Sequence, residues 1–178
     1  MVNRKFLGLS GSLLLVASLG AMVGAGPVAP AAAASAAAKR AAPSPHRFVD
    51  VAASAALYAV EAAKLAERRA RNPRLRSLAK LQKDGGFGIG GQLSWAGRRV
   101  NALPDNVLTP EHQRMLDALK RARNFDALYL AQQQQLVPTM RAFHEDYAVR
   151  GGSATLRPVA QFSARKMAAQ QLALARLD

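Results

Sequence analysis

Three carboxylates come closest to forming a metal site in this 178-residue sequence. Glu61, Asp84 and Asp126 fall on three different predicted helices, so they could approach one another inside a bundle. A di-iron bundle site also needs imidazoles, usually as Glu-x-x-His pairs, and no such pair occurs here. The chain has no cysteine, which excludes a thiolate site. We therefore expect no metal or other cofactor, and interpret the carboxylates, together with Gln170, as buried polar residues with protein partners.

The three histidines add no catalytic group to these carboxylates. His46 precedes the first predicted helix, His112 lies in a first helical turn, and His144 begins a His-Glu-Asp run. We interpret that run as a solvated helix face, because the chain has neither a cysteine nor a serine in a nucleophile elbow. No catalytic residue is predicted. A non-enzymatic binding or structural module is favoured, and the alternative is a ferritin-like metal-binding protein or metal-dependent enzyme with a degenerate site.

A glycine-rich segment from Gly85 to Gly91 formally contains the pattern Gly-x-Gly-x-x-Gly. In a nucleotide-binding fold this pattern joins a strand to a helix, and no strand pattern occurs in the sequence. We expect instead a helix that is continuous but locally weak, or broken, at this segment. Its smooth surface would suit a partner helix, with Phe87 and Ile89 projecting into that partner or into lipid.

The densest positive charge surrounds a predicted helix turn at Asn72 and Pro73. The whole chain carries 25 basic and 11 acidic residues, a net charge of +14. We predict an anionic-partner surface formed by the basic residues of the hairpin, which are Arg68, Arg69, Arg71, Arg74, Arg76, Lys80 and Lys83. An anionic lipid or an envelope polymer would suit it. Nucleic acid is not expected, because aromatic residues do not alternate with these cations. The alternative is that the charge only keeps an alanine-rich bundle soluble.

The elements that would position these residues are all helices. Proline cannot continue a helix, so Asn72-Pro73 ends one arm and opens the next as its antiparallel neighbour. Core positions at helical spacing on the two arms are Phe48, Val51, Ala55, Tyr58, Ala62 and Leu65, then Leu75, Leu78, Gln82, Gly85, Ile89, Leu93, Ala96 and Val100.

Three further helices are predicted after this hairpin. A short one opens at Thr109-Pro110, a long one opens at Phe125 and is kinked or split at Pro138, and the last begins near Thr155. The long helix has a core stripe at Phe125, Leu128, Gln132, Leu136, Met140, Phe143 and Tyr147. We predict an all-α fold, an antiparallel four-helix bundle with one short extra helix. A core pocket lined by Tyr58, Gln132 and Gln170 would make a small-ligand carrier a further alternative.

The N-terminal residues are typical of an export signal. Two cations in Met1 to Lys5 precede an apolar run from Phe6 to Val23, and small residues follow. We expect a signal peptide over residues 1–25, an Ala/Pro-rich linker over 26–45 and the bundle over 46–178. The predicted location is the periplasm or cell envelope. If the leader is not cleaved, it would act as an inner-membrane anchor.

Several short motifs, in this order and spacing, resemble a known family. They are E-A-A-K-L-A from Glu61, N-P-R-L from Asn72, Asp84, and Phe125-Asp126 followed by Tyr129. The chain is similar over about residues 46–177 to the exported bacterial proteins grouped as domain-of-unknown-function family 4142. The resemblance implies a ferritin-like four-helix bundle in a membrane or envelope protein, and it implies no established activity.

The chain departs from this family's pattern at three positions. Where the family usually has histidines, this sequence has Gly85, Val137 and Gln170. These are the imidazoles that a metal site in the bundle would need beside the carboxylates. The resemblance therefore supports the fold more than a metal-dependent activity.

Overall fold

The computed structural model describes residues 42–177, and every regular element in that range is helical. The elements are α1 (Pro45–Arg69), α2 (Pro73–Gly97), a 3₁₀ turn (Arg98–Val100), α3 (Pro110–Arg121), α4 (Phe125–Arg150) and α5 (Arg157–Leu174). The predicted all-α fold is confirmed. The predicted signal peptide, residues 26–41 of the predicted linker, and residue 178 lie outside the described residues. Between residues 42 and 177, no helix combines the length and the hydropathy that a membrane crossing requires.

Side-chain caps begin four of the five α-helices. Ser44, Asn72, Thr109 and Asn124 each accept a hydrogen bond from a backbone N–H two or three residues later. Such a cap satisfies one of the free N–H groups in the first helical turn. Proline follows the cap directly in α1, α2 and α3, where its missing N–H costs nothing. These local signals fix the helix starts that the sequence predicts.

The four long helices pack around one hydrophobic core. α1 packs against α2 and α4 packs against α5, while α2 also contacts α5 and α1 also contacts α4. The short helix α3 rests mainly on α1. α1 buries many alanines, so its neighbour can approach closely, and a Cβ added at Gly86 of α2 would lie 2.8 Å from the carbonyl oxygen of Ala56. The predicted bundle with one short extra helix matches this arrangement.

The glycine-rich segment does not interrupt α2, which runs unbroken from Pro73 to Gly97. Gly85 and Gly86 are buried, and the side chain of Phe87 is 59% exposed. Ile89 is only 1% exposed, so the expectation that it projects outward is wrong. The helical period places it on the core stripe, four residues after Gly85.

α4 also differs in detail from the prediction. It is continuous through Pro138, which is exposed, so the prediction that the helix is split at this proline is wrong. Val137 and His144 are buried, while Leu136 and Phe143, one position earlier in each case, are only partly buried. Phe125, Gln132, Met140 and Tyr147 of the predicted stripe are buried, so the prediction is confirmed at these four positions. It is wrong at Leu128, Leu136 and Phe143, where the following residue is buried instead.

Candidate functional site

One end of the bundle gathers the positive charge. The carbonyl ends of α1 and α3 meet the amino ends of α2 and α4 there, and Arg74 Nη1 approaches the carbonyl of Arg176, just after α5, at 3.5 Å. We call this region the basic end and define it by its exposed arginines, which are Arg68, Arg71, Arg74, Arg121, Arg123 and Arg176. Three of these, at positions 121, 123 and 176, lie outside the hairpin that the sequence singled out.

Arg69 is a structural residue of this end. Its guanidinium donates hydrogen bonds to the carbonyls of Leu119 (2.6 Å), Lys120 (2.8 Å) and Ala122 (2.6 Å). It also lies 5.0 Å from the ring centroid of Phe125. The last carbonyls of a helix have no partner within the helix, so Arg69 caps α3 and ties it to α1.

Two more cations of the predicted surface have internal partners. Arg76 donates to the carbonyls of Ala70 (2.7 Å) and Arg71 (3.1 Å) and so satisfies the end of α1. Lys83 of α2 forms an ion pair with Glu67 of α1. The prediction that all seven hairpin cations serve one binding surface therefore needs correction, because Arg69, Arg76 and Lys83 are held by groups of the protein itself.

The remaining predicted cations face solvent. Arg68, Arg71, Arg74 and Lys80 are exposed, and within residues 42–177 the side chains of all but Arg74 lack an ion pair or hydrogen bond. An exposed cation of this kind contributes little to folding and is free to meet an external anion. The sequence could have indicated the additional arginines, since in an up-down bundle every second helix terminus lies at the same end.

Asp126 holds the hairpin turn in place. Its carboxylate accepts hydrogen bonds from the backbone N–H of Arg71 at 3.1 Å and of Asn72 at 2.9 Å. It lies in the first turn of α4, where the helix dipole also favours a negative charge. The residue thus joins the α1–α2 turn to the start of α4, and it is partly exposed rather than buried.

The other two predicted carboxylates are elsewhere. Glu61 forms a partly exposed ion pair with Lys64 at 2.7 Å, and Asp84 is exposed on α2. The expectation that they are buried is wrong, because each falls beside the core stripe of its helix and reaches solvent. Asp126 contacts the turn after α1, whereas Glu61 pairs with Lys64 within that helix, so the three do not converge. Among the described side chains, no group of three His, Cys, Asp or Glu residues is placed to hold a metal ion.

The centre of the bundle instead contains a polar layer of two tyrosines and three glutamines. We define the central polar layer by its residues, which are Tyr58, Gln82, Tyr129, Gln132 and Gln133. Tyr58 donates to Gln132 Oε1 (2.6 Å), Gln133 donates to Tyr58 Oη (3.3 Å), Gln82 donates to Gln133 Oε1 (2.8 Å), and Tyr129 donates to Gln82 Oε1. Burial raises the pKa of both tyrosines, so both stay neutral.

Gln170 of α5 is buried, with 1% of its surface exposed. Its Nε2 has no hydrogen-bond partner within residues 42–177, and a Cβ added at Gly85 would lie 2.8 Å from that nitrogen. Gly85 therefore leaves the space that the glutamine amide fills. Of the three residues of the expected ligand pocket, Tyr58 and Gln132 are hydrogen-bonded to each other.

His144 is buried, and its interpretation as part of a solvated face is wrong. Its ring makes edge contacts with Phe48 and Phe143, and burial lowers its pKa to about 4. Only the two acids that follow it are exposed, and Arg141 and Arg150 pair with them. The helical period places His144 on the core side, four residues after Met140.

His112 is also buried, at the start of α3. Its Nδ1 lies 2.7 Å from Ser54 Oγ and 3.1 Å from Thr109 Oγ1, and its ring stacks on Tyr58. Burial is the main cause that lowers its pKa. A Ser-His contact can activate a nucleophile, but Ser54 is 1% exposed and also accepts a hydrogen bond from the Thr109 N–H. The cluster fastens α3 to α1.

The sequence model of a protein family described as a domain of unknown function (DUF4142) matches residues 30–177. The chain belongs to this family. The matched range includes all five helices of the DUF4142 domain, so the basic end and the central polar layer both lie inside it. Comparisons with curated proteins and with solved structures find no match. The family's description names no activity, so the function of this DUF4142 domain has to be argued from its residues.

Proposed function

We propose that this DUF4142 domain is an exported, non-enzymatic module of the cell envelope whose basic end binds an anionic lipid surface. The observation that carries the proposal is the gathering of six exposed arginines from three separate chain segments, residues 68–74, 121–123 and 176, at one end of the bundle. Acidic phospholipids attract such a cluster, with a contribution of about 1 kcal/mol for each Lys or Arg near the surface.

Most of the exposed positive charge at this end has no partner within the fold. The helix termini there are satisfied by Arg69, Arg76 and Asp126. Of the six defining arginines, only Arg74 has a side-chain hydrogen bond among the described residues, a long one to the Arg176 carbonyl. Asp126 accepts hydrogen bonds from two backbone N–H groups. A cluster of like charges that does not stabilise the fold is a reasonable candidate for recognition.

A non-enzymatic role is supported by what surrounds the groups capable of chemistry. His112 and His144 are buried, and Ser54, the hydroxyl nearest to an imidazole, is shielded from solvent. The carboxylates are dispersed over the bundle. The export proposal is supported by the basic residues followed by an apolar run in residues 1–23.

Co-sedimentation with lipid vesicles tests the proposal. We expect the protein to bind vesicles containing phosphatidylglycerol at about 0.1 M salt and to be released at about 1 M, where the Debye length falls from about 10 Å to about 3 Å. Neutral vesicles serve as a control, because binding to them measures any attachment through the apolar run from Phe6 to Val23. Phosphate-free acidic polysaccharide, added as a competitor, separates a lipid surface from an envelope polymer as the partner.

Two charge-matched variants locate the binding surface. Substitution of Arg68, Arg74 and Arg121 by Gln should weaken binding about hundredfold, since about 1 kcal/mol is lost at each position. The control variant substitutes three exposed arginines outside the basic end, Arg47, Arg98 and Arg165, by Gln. If both variants lose affinity equally, net charge alone governs binding, and the assignment to the basic end is wrong.

A further inference from the structure

A pocket of about 550 Å³ opens within the basic end, between the end of α1 and the connection from α3 to α4. It is lined by Arg69, Arg71, Arg123, Asn124, Phe125 and Asp126. This volume is within the range of small-molecule sites. The basic end is therefore not a flat charged surface, because it contains a concave site with three guanidinium groups.

Arg69 gives the pocket a fixed cation. Three of its hydrogen bonds go to carbonyls near the end of α3, and its guanidinium lies over the ring of Phe125. A guanidinium has five N–H donors, so two remain available, and the group keeps its full charge. Its rotamer entropy has already been lost on folding, which lowers the cost of binding an anion beside it.

The two other arginines can adapt to a ligand. Arg71 and Arg123 are exposed, and within residues 42–177 neither side chain has an ion pair or hydrogen bond. The carboxylate of Asp126 also lines the pocket, accepts hydrogen bonds from the backbone N–H groups of Arg71 and Asn72, and offsets one of the three cations. Three cations against one anion leave the pocket with net positive charge.

We propose that this pocket binds the phosphate group of a small organic phosphate, such as a phosphorylated lipid headgroup. The planar guanidinium of arginine matches phosphate oxygens with two parallel N–H donors, and Arg71 and Arg123 supply two such groups beside the fixed Arg69. The pocket is larger than a phosphate ion, so the organic part fills the space beside Phe125. This inference rests on the proposed function, because it assigns a specific ligand group to the same basic end.

A titration without lipid tests the pocket directly. We expect glycerol phosphate to shift the backbone amide resonances of Asn124, Phe125 and Asp126 in NMR spectra of the full chain. Acetate at the same ionic strength should leave these resonances in place. The Arg71→Gln/Arg123→Gln variant should lose the shifts, whereas the Arg68→Gln/Arg121→Gln variant, which removes the same charge outside the pocket, should retain them.

A second arm distinguishes a lipid-borne phosphate from a soluble one. Vesicles containing phosphatidic acid are compared with vesicles containing cholesteryl hemisuccinate, a carboxylate, at equal zeta potential. We expect about tenfold tighter binding to the phosphate surface for the natural chain and no preference for the Arg71→Gln/Arg123→Gln variant. Glycerol phosphate shifts without a vesicle preference would assign the pocket to a soluble phosphate.

The outcomes separate this inference from the proposed function. Shifts that glycerol phosphate and acetate produce equally, or that persist without Arg71 and Arg123, would overturn the phosphate pocket. Salt-dependent vesicle binding through the basic end would stand in that case. Conversely, specific phosphate shifts with no binding to any anionic vesicle would support the pocket and overturn the lipid-surface function.

Discussion

The central polar layer and the basic end are both rich in polar groups, but those groups have different partners. In the layer, the tyrosines and glutamines of α1, α2 and α4 bond to one another away from solvent. At the basic end, Arg69 and Arg76 bond to helix carbonyls, while the defining arginines face outward. A polar group whose partners lie inside the fold serves the fold. A charged group without such a partner is where an external ligand should be sought.

The largest effect is expected from breaking the central polar layer. Gln82→Leu leaves Tyr129 Oη and Gln133 Oε1 without their partners in a buried site. We expect the free energy of unfolding to fall by about 4 kcal/mol, since each unsatisfied buried group costs about 1–3 kcal/mol. Urea denaturation measures this fall in the free energy of unfolding. The Gln82→Leu/Tyr129→Phe variant removes one orphaned group and should recover part of the loss. Equal stability of the single and double variants would contradict this explanation.

Acid should destabilise the protein through its buried histidines. Burial lowers the pKa of His144 from 6.5 to about 4, so the unfolded chain binds a proton more readily than the folded one. The contribution of the neutral imidazole to the free energy of unfolding is fully present above pH 6.5 and is lost as the pH falls from 6.5 to about 4. The loss amounts to about 3 kcal/mol. His112 shifts in the same direction because it is buried.

Denaturation curves at several pH values measure the contribution of His144. The natural chain and His144→Leu differ only at this ring, so the difference between their curves isolates the imidazole. We expect the His144→Leu variant to show a clearly smaller fall in stability on acidification. An unchanged fall in that variant would contradict the assignment of acid sensitivity to this buried histidine.

Arg69 should behave as an interior residue despite its position at the basic end. Arg69→Gln removes three charge-assisted hydrogen bonds to the end of α3. We expect a loss of about 2 kcal/mol, since the freed carbonyls can partly turn to water. The loss of stability should appear first as faster amide hydrogen exchange in α3. Uniform loosening of all five helices would argue against a local capping role.

The smallest effect on stability is expected from the exposed arginines. Arg71→Gln and Arg123→Gln remove no side-chain hydrogen bond or ion pair within residues 42–177, so each should change the free energy of unfolding by less than about 0.5 kcal/mol. Thermal unfolding monitored by circular dichroism checks this. A loss comparable to that of Arg69→Gln would place these residues with the structural group and remove the contrast between the two regions.

The fold could be predicted because its signals are local. The helix starts follow from caps and prolines such as Asn72-Pro73, and the core stripe of α1 follows from its apolar spacing. The burial of Tyr129, Val137 and His144 on α4, each in place of the residue before it, could not be predicted in the same way. Gln133 and His144 are polar, and their burial depends on partners from other helices or on surrounding rings.

The candidate site was only partly predictable for the same reason. The sequence located the charge near Asn72 but could not separate Arg69 and Arg76 from Arg71. The carbonyl partners of Arg69 lie near the end of α3 and become its neighbours only through tertiary packing, while Arg76 bonds to carbonyls of its own hairpin, which the spacing of the arginines does not indicate. The sequence analysis also omitted Arg121, Arg123 and Arg176, which are distant in sequence from the hairpin. These residues reach the basic end only through the antiparallel order of the helices.

The most direct test of the basic end as the binding surface uses the absence of cysteine from the chain. A single cysteine at exposed Ser77, near this end, or at exposed Ala154, near the opposite end, is labelled with an environment-sensitive fluorophore. When anionic vesicles are added at low salt, we predict a large emission change for the Ser77→Cys protein and little for the Ala154→Cys protein. Equal responses, or a larger response from position 154, would contradict the assignment.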